Sequence, residues 1–128
     1  MSDSSIERVE NLIRVVQNIP DDKFDIRRWY DPTLKCGCAI GHAIHDQYFI
    51  SQGFRPNLPD AYDGIAEFFD IDVKRVYAIF VNAIGYGTRQ DVLTALRVLL
   101  LEKRAQQLGE EFELAEAEQL ANAYVELV

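Results

Sequence analysis

The sequence predicts a single all-α domain, a compact bundle of five or six helices over residues 1–128. Apolar residues recur at helical spacing, proline and glycine separate the periodic segments, and no segment alternates apolar and polar residues as a half-buried strand does. A chain of 128 residues is also the size of one ordinary domain. We therefore expect one core, with a Cys/His-containing helix at its centre and a helix pair that resembles a helix-turn-helix.

The first predicted helix begins near Ser4 and ends before Pro20, because the residue before a proline avoids the helical conformation. Ser4 and Glu7 have the spacing of a capping box. The apolar face consists of six residues at helical spacing, namely Ile6, Val9, Leu12, Ile13, Val16 and Ile19. Residues 21–35 have mixed charge and no period, so we expect a structured connection that is pinned by Phe24, Ile26 and Trp29.

A second helix is predicted from about Gly37 to Gln52, with Gly53 as its C-terminal stop. The segment is apolar on nearly all sides, which is typical of a helix in the middle of a domain. Gly41 lies in its interior, where glycine costs about 1 kcal/mol relative to alanine. We therefore expect another backbone or an aromatic ring to approach closely at Gly41.

Two cysteines and two histidines in this segment are the candidates for chemistry, namely Cys36, Cys38, His42 and His45. At about 100° per residue, Cys38, His42 and His45 share one helix face, and all are zinc-ligand types. However, Cys38 and His45 would lie about 10 Å apart along the axis, which is too far for three ligands to surround one ion. A thiol catalyst needs convergent groups rather than a row. We interpret the four residues as core packing, and metal binding through this helix stays an alternative.

The helix pair at residues 61–69 and 73–83 has the pattern of a helix-turn-helix, in which Lys74 and Arg75 fall where a recognition helix meets DNA. DNA binding is therefore a second alternative function. Phosphate affinity comes from cations, yet five carboxylates crowd this region, namely Asp60, Asp63, Glu67, Asp70 and Asp72. The second helix would also expose side chains that cannot read base edges by hydrogen bonds, namely Val73, Tyr77 and Ala78.

The longest predicted helix is capped by Thr88 and Asp91 and runs to about Leu108. Gly109 separates it from a last helix, whose apolar stripe consists of Leu114, Ala117, Ala121, Tyr124 and Val128. We expect this stripe to pack mostly inside the domain of a monomer. An exposed stripe would instead form the seam of a homodimer.

Three short motifs follow one another along residues 19–101. Phe24-Asp25 is followed by Trp29, then by Cys38-Ala39-Ile40-Gly41-His42-Ala43, and later by the helix pair that ends at Phe80. This order resembles a family of small, uncharacterised bacterial helical proteins with an aromatic-Asp, a Trp and a Cys-x-x-Gly-His/Trp-Ala helix. Members often carry a further Cys-Gly-Thr segment, whereas this chain has only Cys36-Gly37 before Cys38. The resemblance implies a helical fold and assigns no activity.

The charge and composition of the chain indicate which classes of molecule the protein binds. A net charge of −8 argues against nucleic acid and anionic membrane. No apolar run approaches the roughly 20 residues of a membrane span, and residues 1–10 lack the features of a signal peptide. Two cysteines one residue apart form no disulfide framework. We expect a cytoplasmic, non-catalytic module that binds another protein, as a monomer or homodimer, with no catalytic residue, metal ligand or cofactor assigned.

Overall fold

The computed structural model describes residues 3–56, 61–82 and 87–109, and helix dominates this part of the chain. The prediction that the protein is mainly helical is confirmed. The final helix that was predicted beyond Gly109 lies outside the described residues. The α-helices of the described part are α1 (Asp3–Gln17), α2 (Ala39–Ala43), α3 (Gln47–Ser51), α4 (Ala61–Phe69), α5 (Val73–Val76) and α6 (Arg89–Leu108). Other elements are a 3-10 turn (Asp21–Lys23), a π-helical segment (Tyr77–Asn82) and an antiparallel ribbon of β1 (Tyr30–Asp31) and β2 (Cys36–Gly37).

The centre of the fold is the antiparallel packing of α1 against α6. Fully or almost fully buried side chains of both helices meet there, namely Val9, Leu12, Val16, Val92, Leu96 and Leu99. The predicted cap of α6 is confirmed, because Thr88 Oγ1 accepts the Asp91 N–H and the Asp91 carboxylate accepts the Thr88 N–H, both at 3.1 Å. The predicted cap of α1 is wrong, because α1 already begins at Asp3, one residue before Ser4.

The helix predicted from Gly37 to Gln52 is wrong in its extent, because the structure divides it into α2 and α3. The division occurs before Asp46, whose carboxylate accepts the Tyr48 N–H at 3.0 Å and so caps a new helix. The predicted stop is confirmed. Gly53 has a φ of +73°, and the next N–H, from Phe54, returns to the Phe49 carbonyl at 3.0 Å.

The ribbon lies directly on α2, and no strand was predicted there. The Cys38 N–H donates to the Arg28 carbonyl at 2.8 Å, and the Asp25 N–H donates to the Gly37 carbonyl at 2.9 Å. A Cβ added at Gly41 would lie 1.6 Å from the carbonyl oxygen of Trp29. The close approach predicted at Gly41 is therefore confirmed, and the approaching group is backbone.

The helix-turn-helix-like pair consists of α4, a short turn, α5 and the π-helical segment. Asp70 holds the left-handed position of the turn, with a φ of +55°, in a place where glycine is usual. The Ile71 N–H donates to the Ala66 carbonyl at 2.9 Å and closes α4. The buried side chain of Lys103 donates to the Asp70 carbonyl at 2.8 Å, which ties this turn to α6.

Across residues 3–56, 61–82 and 87–109, no helix combines the length and the apolar character needed to cross a bilayer.

Candidate functional site

The four residues of the predicted Cys/His cluster do not form one cluster in the structure. Cys38 is buried at the start of α2, where its sulfur accepts the Gly41 N–H at 3.4 Å and its thiol points to the Trp29 carbonyl at 3.7 Å. Burial raises the pKa of the Cys38 thiol and keeps it protonated. Cys36 lies on β2, paired with Asp31 in the ribbon. The two cysteines are therefore a helix cap and a ribbon residue, and they belong to different elements.

The two histidines contact the same aromatic ring. His42 meets Tyr30 edge-on at 5.2 Å between ring centroids, and His45 lies against it at 4.4 Å. His42 Nε2 lies 2.9 Å from the Lys23 carbonyl, and because a carbonyl only accepts, Nε2 carries the proton. No group of three His, Cys, Asp or Glu side chains in the described part of the chain is placed to hold a metal ion.

A shallow cleft of about 250 Å³ runs past His42 and His45 to the Arg14–Asp46 ion pair. Arg14 binds Asp46 through two hydrogen bonds of 2.9 and 3.1 Å. These bonds lower the pKa of the Asp46 carboxyl and raise the pKa of the Arg14 guanidinium. The charges of this cleft therefore neutralise each other and fasten α3 to α1.

A second cleft of about 770 Å³ lies between the 3-10 turn and the start of α6. The two arginines that line this cleft also bond to other groups of the chain. Arg89 binds Asp21 at 2.9 Å and the Gln17 carbonyl at 3.3 Å, and Arg27 lies 3.5 Å from Asp25. This cleft consequently offers no concentrated positive charge to an anion.

The two predicted DNA contacts differ in their surroundings. Arg75 forms an ion pair of 2.7 Å with Glu102 of α6, whereas Lys74 is exposed at the first turn of α5. Arg75, which binds phosphate better than a lysine does, is therefore already paired with a carboxylate of the same chain.

Beside Lys74, the second helix of the pair carries an exposed apolar surface, which we call the Tyr77 face. It consists of the exposed residues Tyr77, Ala78 and Val81 of this helix, and the half-buried Tyr62 of α4 adjoins it. Tyr77 is 43% exposed and Val81 is 38% exposed, and the ring of Tyr62 packs on the ring of Tyr77 at 4.8 Å. The opposite side of the same segment is buried through Val76, Ile79 and Phe80. The exposure expected for Tyr77 and Ala78 is confirmed, while Val73 is only half-exposed.

The Tyr77 face coincides with the π-helical segment Tyr77–Asn82. π-Helix is rare, and where it occurs it is frequently found at functional sites. The sequence pattern did not predict the π-helical segment or the contributions of Tyr62 and Val81. Val81 could have been found, because it lies one helical turn beyond Tyr77.

Exposed carboxylates lie on α4 and on the turn that follows it, and Glu67 among them lines a cleft with Arg8 and Arg55. These carboxylates are Asp63, Glu67 and Asp72. All three are exposed, and none forms an ion pair with a described residue. Six other carboxylates in the described chain have guanidinium partners, namely Glu10, Asp21, Asp25, Asp31, Asp46 and Glu102, whereas Glu7, Asp22 and Asp70 form no ion pair with a described residue. Lys74, an exposed cation on α5, also forms no ion pair with a described residue, so the surface beside Tyr77 carries charges of both signs.

No protein-family model matches the chain, and no curated protein or solved structure matches it either. The family resemblance of residues 19–101 stays a prediction.

Proposed function

We propose that this protein is a non-catalytic module that binds another protein through the Tyr77 face. The observation that carries the proposal is the exposure of Tyr77 and Val81 on a segment whose other side is fixed in the core. Aromatic side chains dominate the binding energy of many protein interfaces, because they bury a large area at a small cost in conformational entropy. A rigid aromatic pair such as Tyr62 and Tyr77 has these properties.

The polar side chains that could act in catalysis already bond to other groups of the chain, which favours a binding function over a catalytic one. Cys38 is a buried cap, and the charges of Arg14 and Asp46 neutralise each other. The pairing of Arg75 with Glu102 makes the DNA-binding alternative less favourable, because phosphate affinity needs free cations. We further propose that the module works in the cytoplasm, where the free thiols of Cys36 and Cys38 stay reduced.

The test is affinity purification with the tagged full chain from the cells that produce it, repeated with two variants. Val81→Asp places a charge on the Tyr77 face. Leu34→Asp is the matched control, since Leu34 is also an exposed aliphatic residue, 52% exposed in the ribbon loop. We expect the wild type and Leu34→Asp to retain the same partner and Val81→Asp to lose it.

Unfolding midpoints of both variants show whether each has kept its fold. A partner that Val81→Asp retains at the wild-type level, or that both variants lose equally, contradicts the proposal.

A further inference from the structure

We infer that this protein binds a small apolar carboxylate, of the kind of a medium-chain fatty acid, in a groove along Phe54, Arg55 and Pro56. The carboxylate lies on the guanidinium groups of Arg8 and Arg55, and the apolar part lies in the pocket beside them. We call this site the Arg55 groove. The described residues that line it do not belong to the Tyr77 face, so the inference is independent of the proposed function.

The Arg55 groove consists of two adjoining cavities, since Phe54, Arg55 and Pro56 line both of them. The apolar cavity has a volume of about 390 Å³ and is lined further by Ile44 and Ile50. The polar cavity has a volume of about 310 Å³, and its further lining residues are Arg8, Gly53, Gly64, Glu67 and Phe68. An apolar pocket of this size with a few polar groups at one end is typical of a small-molecule site.

The guanidinium group of Arg8 is held in a fixed place. Its Nη1 donates to the Phe68 carbonyl at 2.8 Å, and its Cζ lies 3.9 Å from the centroid of the Phe68 ring. Its Nη2 forms only a long hydrogen bond of 3.4 Å to Gln52, and its buried Nε has no hydrogen-bond partner among the described residues. Buried N–H groups usually have an acceptor. The chain therefore positions this guanidinium without using all of its donors, and a fixed guanidinium suits recognition of a carboxylate.

The ion pairs of the described chain set the arginines of this groove apart. Three arginines form no ion pair with a described residue, namely Arg8, Arg55 and Arg97. Two of these three line the same cavity. Six other arginines pair with a carboxylate, namely Arg14, Arg27, Arg28, Arg75, Arg89 and Arg104. The polar cavity thus brings together two guanidinium groups that the described carboxylates leave unpaired.

The charge of the cavity favours a ligand with a single negative charge. Glu67 also lines the polar cavity, yet it forms an ion pair with neither arginine. Two guanidinium groups and one carboxylate leave an excess of one positive charge. A carboxylate matches that excess, whereas a phosphate monoester carries nearly two negative charges at neutral pH. The planar guanidinium fork also matches the two oxygens of a carboxylate.

The first experiment titrates sodium octanoate onto the full chain and follows binding by calorimetry. Acetate carries the charge without the apolar chain, octanamide carries the apolar chain without the charge, and octyl phosphate carries a larger charge on the same chain. We expect octanoate to bind at one site, and acetate and octanamide to bind at least about tenfold more weakly. Octyl phosphate should bind more weakly than octanoate.

The second experiment repeats the octanoate titration with variants that keep the size of each side chain similar. Arg55→Gln should weaken binding about tenfold, while the matched control Lys74→Gln, which removes another exposed and unpaired cation, should stay within about twofold of the wild type. Glu67→Gln removes the carboxylate of the cavity and should tighten binding about threefold at low salt. Its matched control is Asp63→Asn, an exposed carboxylate of the same helix that does not line the groove.

Tighter binding by Glu67→Gln is a gain that a damaged fold does not produce, so it decides the case if Arg55→Gln fails to fold. The inference is overturned if octanoate does not bind, if octanamide binds as tightly as octanoate, or if Arg55→Gln and Lys74→Gln have equal effects. Octyl phosphate that binds more tightly than octanoate would contradict the assignment to a carboxylate. Equal affinities of Glu67→Gln and Asp63→Asn would contradict the position of the bound charge beside Glu67.

Discussion

Replacing Gly41 with alanine adds a single methyl group where the ribbon backbone touches α2. The new Cβ would lie 1.6 Å from the Trp29 carbonyl oxygen and 2.7 Å from the Trp29 carbonyl carbon. Real contacts of this kind are essentially never under 3.0 Å, so a separation of 1.6 Å must open to 3.0 Å, a displacement of about 1.4 Å. Because the obstacle is backbone, no side-chain rotation relieves it.

The energetic cost follows from what that displacement breaks. The hydrogen bonds from Cys38 to Arg28 and from Asp25 to Gly37 hold the ribbon in place, and each contributes about 1 kcal/mol. Overpacking adds about 1–3 kcal/mol, while the better helix propensity of alanine returns about 1 kcal/mol. We expect Gly41→Ala to destabilise the protein by about 2–4 kcal/mol, which lowers the melting temperature by at least about 6 °C.

Gly64 provides the matched control, since it also lies inside a helix. It is exposed in α4, and a Cβ added there meets nothing within 4 Å. Gly64→Ala should therefore stabilise the protein by about 0.5–1 kcal/mol, because alanine restricts the unfolded chain. Urea and thermal unfolding of the three proteins measure both values. A midpoint for Gly41→Ala equal to that of the wild type would refute the close contact between the ribbon and α2.

Three further predictions concern ionisation and metal. Hydrogen bonds from Arg14 lower the pKa of Asp46, so this carboxylate contributes stability above the ordinary carboxyl pKa and loses it as the pH falls through the lowered value. Asp46→Asn, which keeps a capping side chain, should cost about 0.5–1 kcal/mol at pH 7 and show no cost near pH 2; a constant difference in urea midpoints would contradict this. Burial lowers the pKa of Lys103, so the unfolded chain binds the Lys103 proton more readily than the folded chain does. The stability of the wild type should therefore rise towards pH 10.5 relative to that of Lys103→Met. Parallel pH profiles of the two proteins would show that the Lys103 proton is not linked to folding. The side chains of Cys38, His42 and His45 do not converge on one point. Purified protein should therefore hold no stoichiometric zinc, and a chelator should leave its unfolding midpoint unchanged. One bound zinc ion that is lost in His42→Ala would contradict this.

The parts of the fold that the sequence predicted are those with repeated local signals. The cap at Thr88 and Asp91 and the apolar period of α1 each combine several residues that favour the same structure. The division between α2 and α3 was missed because residues 38–50 are apolar enough to support one long helix. Its signal was Asp46, a capping residue type inside an apparent helix interior.

The ribbon and the contribution of Tyr62 to the Tyr77 face required three-dimensional information. Each strand of the ribbon is two residues long, so no alternation could reveal it. Gly41 did indicate a close approach, but the identity of the approaching group depends on where residues 28–30 pass in space. The shared helix face proposed for Cys38, His42 and His45 required one continuous helix, which ends at Ala43. For the Tyr77 face, the exposure of Tyr77 and Ala78 was predicted, whereas the packing of the Tyr62 ring on the Tyr77 ring depends on how α4 lies against the π-helical segment.

The packing of α1 on α6 joins parts of the chain that are synthesised at very different times. The buried side chain of Lys103 reaches Ser5, 98 residues earlier in the chain, at 3.3 Å. At a synthesis rate of about 5–20 residues per second, α1 waits for about 5–20 s before its partner exists. During that interval its apolar face, including Val9, Leu12 and Val16, has no α6 to cover it. A nascent chain that stops before α6 is therefore a substrate for chaperones and proteases rather than a smaller folded domain.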